Sequence, residues 1–434
     1  MTKLIKHYLE KVKIYFKADI IKVFSFTAIS TLVKMLTGFI SLKVVAVIIG
    51  PAGIALLGQL NNFSSIVMTA ASGGINNGIT KYISEYKDSP SKVRLFISSA
   101  LRITIVMSFL VSLGLIVFAK YLSQVILLSP SYSYVFILFG LTLTFFSLNG
   151  YLMSILNGYK EFKKFVKINI ITSITGVFFT VFLVWFWQLK GALISAVTYQ
   201  SVSFFITLIL ISKSSWFTLN NFNFRFSKVI LKKYLSYSLM TLVTAATVPV
   251  SQIVIRSYVI NHFSATEAGL WEGINRISGM YLMVITSSFG VYYLPRLSEI
   301  KVKNELRNEI LSAYKVILPV LIIGIFGIYL LRDFIINTLF SAEFYSMRDL
   351  FIWQLFGDLF KICSWLLAFI LIAKSMTRMF IITELVFSSL FVVLSISLLK
   401  FSLVGVTQAY FITYLVYFIF MIVYFRNIFF NNSK

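Results

Sequence analysis

Gln354, Asp358, Lys361 and Trp365 all stand inside one apolar run, 347–373, that is long enough to cross a bilayer. At about 100° per residue they share one narrow stripe of a helix. Counted from Leu350 at about 1.5 Å per residue, Asp358 and Lys361 lie roughly 12–17 Å along it, near the middle of a hydrocarbon core about 30 Å thick. A charge there costs at least about 2.5–3.5 kcal/mol, so it must face a protein interior or a wet cavity. At i and i+3 the two can pair with one another. Unpaired, the carboxylate offers a proton or cation site and the ammonium an anion site.

A second run, 23–49, carries Thr27, Ser30, Lys34, Thr37 and Ser41 within an arc of roughly 80° at helical pitch. Lys34 is about 17 Å from Val23, again at mid-depth. The hydroxyls suit either helix–helix hydrogen bonds or a cavity wall; the lysine favours a cavity. Lys43, on the opposite face near the far end of the run, is expected to snorkel. Glu384 lies about 12 Å into the run 377–399 with no cation four residues away, so its partner must come from another helix, a proton or a cation. Arg256 is near the end of its run, and Glu272 with Arg276 forms an i, i+4 pair. Arg332-Asp333 and Arg348-Asp349 flank one loop as solvated caps. A phosphate or pyrophosphate entering a bilayer needs cations to offset its desolvation, whereas an organic cation prefers carboxylates and aromatics. Lys34, Arg256, Arg276 and Lys361 tilt the balance toward an anion.

The elements that must hold these residues are legible in composition. Of 434 residues 59% are apolar and 12% charged, and mean hydropathy is +0.89. A charged share so far below the ~25% of soluble domains excludes one. The net charge of +24 therefore reads as loop charge and not as a nucleic-acid footprint. Twelve apolar segments are expected, near 23–49, 52–82, 95–119, 132–157, 166–188, 191–212, 234–260, 267–294, 310–331, 350–373, 377–399 and 403–425. The fold class is thus an all-α polytopic membrane protein. A basic amphipathic segment, 1–22, precedes a six-helix lobe, 23–212; a linker, 213–233, leads to a second lobe, 234–426, and a tail, 427–434. No cleavable signal peptide is expected at the start of this sequence, and the lone Cys363 permits no internal disulfide. Walker loop, HExxH, CxxC and GxSxG patterns are absent, so neither a catalytic residue nor a metal or other cofactor is expected.

Alternate loops starting from the N-terminus carry 26 Lys and Arg, and the opposite loops 5. The bias predicts both termini on the cytoplasmic side of the membrane. The halves also echo each other. Ala52-Gly53 and Ser84-Glu85 bracket span two, and Ala268-Gly269 and Ser298-Glu299 bracket span eight. That pattern fits two pseudo-repeated six-helix bundles with a polar chamber between them, into which Lys34 and Lys361 would both face.

Several segments carry a family resemblance: STLVK at 30–34, GPAG at 50–53, NGITKY at 77–82, AGLWEGINRIS at 268–278, YLLRDF at 329–334, MRDLFIWQLFGDLFK at 347–361 and TQAYFITYLVYF at 407–418. Across about 24–426 the chain resembles the Wzx-type lipid-linked oligosaccharide flippases of the multidrug/oligosaccharidyl-lipid/polysaccharide exporter superfamily. The likeness is nearest to those for enterobacterial common antigen lipid and related O-antigen units. The resemblance implies alternating access and an undecaprenyl-diphosphate-linked oligosaccharide moved from the cytoplasmic to the periplasmic leaflet. It implies H⁺ or Na⁺ as coupling ion, membrane lipids around the chain, and a polysaccharide polymerase and chain-length proteins as partners. Lys34, Lys81, Arg256 and Lys361 would then form a cationic lumen. Asp358, Glu384, Arg348, Asp349, Arg332 and Asp333 would couple or gate, and Glu272 and Arg276, which depart from the family pattern, would tune substrate choice. A drug or organic-cation antiporter on the same fold is the alternative. A membrane polymerase would need a larger outer loop than 332–349.

Overall fold

The computed structural model describes residues 2–222, 227–288, 293–374 and 376–429, with side chains from residue 29 onward except at 219, 236, 237, 239, 240, 287, 288, 294 and 295. Among the described residues all regular structure is helical. The first half comprises α1 (Thr2–Ala71), α2 (Asn76–Glu85), α3 (Pro90–Val117), α4 (Ala119–Ile126), α5 (Ser133–Gly158), α6 (Phe162–Ile211) and the short α7 (Leu219–Phe222). The second comprises α8 (Lys228–His262), α9 (Ala265–Ser288), α10 (Leu294–Glu299), α11 (Lys303–Leu330), α12 (Arg332–Leu339), α13 (Phe351–Ala373), α14 (Thr377–Leu399), α15 (Val404–Tyr424) and α16 (Arg426–Phe429).

Among the described residues nine helical stretches are long and apolar enough to cross a bilayer. Two of them hold two arms each. Gly50, at φ 64° and ψ −174°, divides α1, and Gln188, at φ 46° and ψ −125°, divides α6. Glycine carries the left-handed angle at position 50 without steric cost, and Pro51 starts the second arm with a preset φ. α9 is the twelfth arm; Glu267, Glu272 and Arg276 lower its hydropathy without shortening it. Only helices satisfy their own backbone groups in lipid, so the apolar runs have no other regular choice.

The two halves repeat element by element. In each, the second arm is followed by a short helix that ends at a glutamate, Glu85 or Glu299. The third helix is followed by an eight-residue helix, α4 or α12, and then by a 3-10 turn, Pro130–Tyr132 or Ala342–Leu350. The expected continuous span 52–82 is therefore corrected. Gly73 and Gly74, both left-handed, end α1 in a Schellman cap, with the Gly74 amide on Thr69 O at 3.0 Å and the Gly73 amide on Ala70 O at 2.9 Å. Residues 2–22 continue α1 as one helix; the side-chain amphipathy expected there, like Thr27, lies outside the described residues.

The cores are distributed unequally. At the Gly50 end one core joins the halves, with Leu42, Ile54 and Leu60 of α1 packed with Ala268, Trp271 and Phe340. At the other end there are two. One holds Ile79, Ile83, Phe96 and Ile155 with Tyr234 of α8; the other holds Leu297, Ile310, Leu366 and Met421. The close approach at the Gly50 end depends on glycine: a Cβ on Gly269 would lie 1.9 Å from Pro51 O.

Candidate functional site

Lys34 lies between the halves. Its side chain is exposed, on the same face of α1 as Gly38, where a Cβ would be 3.5 Å from Met280 Cε of α9. Leu32 and Leu36, exposed toward the opposite side, mark the lipid face. The Thr37 hydroxyl takes no part in the gap: it donates to Val33 O at 2.8 Å and Lys34 O at 3.0 Å within its own helix. Lys81 is exposed on α2, with Nζ 5.4 Å from the centroid of the Tyr82 ring.

The Gly50 end of the gap is closed by a buried polar cluster. Arg256 of α8 is 1% exposed. Its Nη2 donates to Glu272 Oε2, its Nη1 donates to Gln59 Oε1 at 3.2 Å, and its guanidinium lies 5.3 Å from the Trp271 ring centroid. Arg276 Nε donates to Glu272 Oε1 at 2.9 Å. Gln59 Nε2 in turn donates to Ser257 Oγ at 2.8 Å, tying α1 to α8. Gly58 makes room for the Glu272 carboxylate; a Cβ there would be 2.5 Å from Cδ. Arg256, expected among the lumen cations, is thus buried among partners in this structure. Desolvated charges persist when each has several partners, and Arg256 has three. Lys43 is corrected: it donates to Phe340 O at 2.9 Å and Asn337 O at 3.3 Å, capping α12 instead of snorkelling. Nearby, Asp333 Oδ1 forms ion pairs with Arg348 Nε at 3.0 Å and Arg332 Nε at 3.9 Å, while Asp349 is exposed.

Asp358 and Lys361 part company. Asp358 is fully buried, and its carboxylate accepts three hydroxyls: Ser278 Oγ at 2.6 Å, Tyr410 OH at 2.8 Å and Tyr281 OH. These come from α9 and α15, so the carboxylate, carried by α13, joins three helices. Gly357 permits it, because a Cβ there would lie 2.2 Å from Tyr410 Cδ1. The sequence left two readings open for Asp358 and Lys361, and the described ion pairs do not include a bridge between them. Lys361 instead turns into a chamber of about 70 Å³ between α8, α13, α14 and α15, which Glu384 also lines. Its expected position in the gap between the halves is therefore corrected: the chamber lies inside the second half. Among the described residues no group of histidine, cysteine and carboxylate side chains could hold a metal ion.

Sequence reasoning singled out neither Gln59, Ser278, Tyr281 nor Tyr410. Their partners come from helices far apart in the chain, and one sequence carries no signal for such pairings.

Residues 20–301 match the polysaccharide biosynthesis protein family. The lipid III flippase of Escherichia coli (strain K12) is 31% identical over 393 residues, covering 90% of this chain and 94% of that protein. The lipid III flippase of Shigella flexneri gives the same figures. Lipid II flippase MurJ in an inward closed conformation superposes with a TM-score of 0.71 at 17% identity, covering 92% of this chain and 87% of that one. An inward-facing multidrug resistance MATE family transporter of the MOP superfamily gives 0.70 at 12% identity, covering 93% and 100%. At such identities these two structures speak to the fold alone.

Proposed function

The chain belongs to the polysaccharide biosynthesis protein family, and on that premise we propose that it flips an undecaprenyl-diphosphate-linked oligosaccharide across the bacterial inner membrane. Its relatives are flippases and transporters, and it is read as one of them and not as an enzyme. The observation that carries this reading is the unequal packing of the two ends: at the far end the described first-half core takes in only α8 of the second half. A shared core and the Arg256–Glu272–Gln59 cluster close the Gly50 end, while Lys34 remains exposed on the face of α1 that looks toward α9. A diphosphate entering the gap meets that ammonium, while the prenyl chain stays in lipid and the sugars fill the open part. The excess of basic residues puts both termini in the cytoplasm, so the open end faces the cytoplasm and the closed end the periplasm. Carriage then runs outward by alternating access, coupled to H⁺ or Na⁺. The likeness to enterobacterial common antigen-type flippases favours that lipid or a related O-antigen unit. The drug-antiporter alternative has the shared fold behind it and no more.

Deleting the gene in its host is expected to abolish surface polysaccharide and to leave the lipid-linked unit in the cytoplasmic leaflet. Lys34→Arg is expected to restore the polymer and Lys34→Ala to leave it more than tenfold reduced, since losing one charge-assisted contact of about 1.5–3 kcal/mol corresponds to roughly that factor. Full restoration by Lys34→Ala refutes the cationic gap. Loss of dye resistance with polysaccharide intact moves the assignment to the antiporter.

A further inference from the structure

The chamber inside the second half is a built site. The Lys361 Nζ lies 5.1 Å from the Trp365 ring centroid, 5.4 Å from that of Tyr414 and 5.5 Å from that of Tyr410. Three ring faces around one ammonium form an aromatic cage, an arrangement that recognises free quaternary and other small cations. Two further walls carry oxygen atoms with no hydrogen-bond partner: Thr413 Oγ1, on a residue 3% exposed, and Gln252 Oε1. Glu384 supplies negative charge on the same chamber without a direct ion pair to Lys361 among the described residues. A polar space of about 70 Å³ also has room for ordered water between them.

We propose that this chamber is a monovalent-cation site whose cation is built in, the Lys361 ammonium, with Glu384 as its counter-charge across water. Such a site has no place for sodium, potassium or a free amine as long as the lysine is present. Removing the lysine head converts it into a binding site for a small protonated amine, which the cage, Glu384 and the two unpartnered oxygens then hold. The assignment is independent of which lipid the chain carries, because it concerns binding by the purified protein.

The test uses the full chain in detergent micelles, titrated with methylammonium chloride at ionic strength held constant with N-methylglucamine. Thermal midpoint and tryptophan fluorescence are recorded. For the native chain both readouts are expected to stay flat under methylammonium; a saturable response to it overturns the proposal. Lys361→Ala is expected to lower the midpoint, and methylammonium to raise it again saturably while changing the fluorescence. Lys361→Ala combined with Trp365→Phe should keep the midpoint response and lose most of the fluorescence change. Lys361→Ala combined with Glu384→Gln should lose both. A folded Lys361→Ala chain blind to methylammonium, or a response that survives Glu384→Gln, overturns the proposal. Should Lys361→Ala not fold, Lys361→Met keeps the stem and removes the charge. It is expected to lower the midpoint without any cation response, and a midpoint at or above that of the native chain counts against a resident cation.

Discussion

Asp358 and Lys361 are one helical turn apart on α13, yet their surroundings give them different work. Asp358 is sealed in by three hydroxyl donors, so its carboxylate is a structural acceptor joining α9, α13 and α15. Asp358→Ala strands three buried hydroxyls at about 1–3 kcal/mol each, less whatever they recover by turning to other acceptors, so a loss of at least about 2 kcal/mol is expected. Chemical denaturation in micelles measures it; a variant as stable as the native chain would show that those hydroxyls have other partners. Arg256 gives the matching case at the closed end of the gap. Truncating one member of a buried ion pair leaves an uncompensated charge, and Arg256→Met is expected to cost about 3–5 kcal/mol. Arg276 still faces Glu272 in that variant, so the lower end of the range is the expectation. Because Gln59 also loses its bond to Nη1, Arg256→Met should weaken the junction of the halves as well as the fold.

Helix positions were largely legible in the apolar runs, because a run of about 20 residues in lipid has one regular solution. The breaks were less so. Gly73-Gly74 divides an apolar stretch that hydropathy reads as continuous, since a Schellman cap leaves no trace in a window average. The dipeptide echo between Gly53–Glu85 and Gly269–Glu299 had more content than its length suggested, for it marks the same pair of a long arm and a short helix in each half. The stripe of Asp358, Lys361 and Trp365 was correctly phased, but phase around one helix does not say which neighbour each residue meets. That is why the spacing left a bridge within α13 open, where the structure has hydroxyls from α9 and α15 and rings from α13 and α15. Gly357 belongs to this scale. Gly357→Ala drives a Cβ to 2.2 Å from Tyr410 Cδ1, so the ring must move and α15 must tilt or shift. Overpacking of this kind costs about 1–3 kcal/mol, and it should lower the thermal midpoint while leaving the α1–α9 crossing untouched. A midpoint unchanged from that of the native chain would mean that α15 yields at no cost.

Among the described residues one core lies at the Gly50 end and two at the other, and that asymmetry defines a state. A transporter that alternates must reach the reverse arrangement, in which the shared core and its polar cluster separate while the other two cores approach. Contacts made only in the described state should therefore control the balance between the two. The α1–α9 crossing is the most exacting of them, because the Gly269 position lies against a backbone oxygen that cannot turn away. Gly269→Leu should pry this end apart and shift the population toward the reverse state. Replacing the buried Cys363 by serine removes the chain's own thiol, and a single cysteine at Gln59 then reports on access. In the described state residue 59 is fully buried and should label slowly; with Gly269→Leu the rate of maleimide labelling should rise several-fold. The converse experiment fixes the end shut. Cysteines at Gln59 and Ser257, whose side chains now meet at 2.8 Å, joined by a short bis-thiol reagent, should stop flipping until the link is cleaved. Flipping that continued at the native rate across that link would mean that this end never opens during transport, and the one-ended gap would then be a fixed vestibule instead of one half of a cycle.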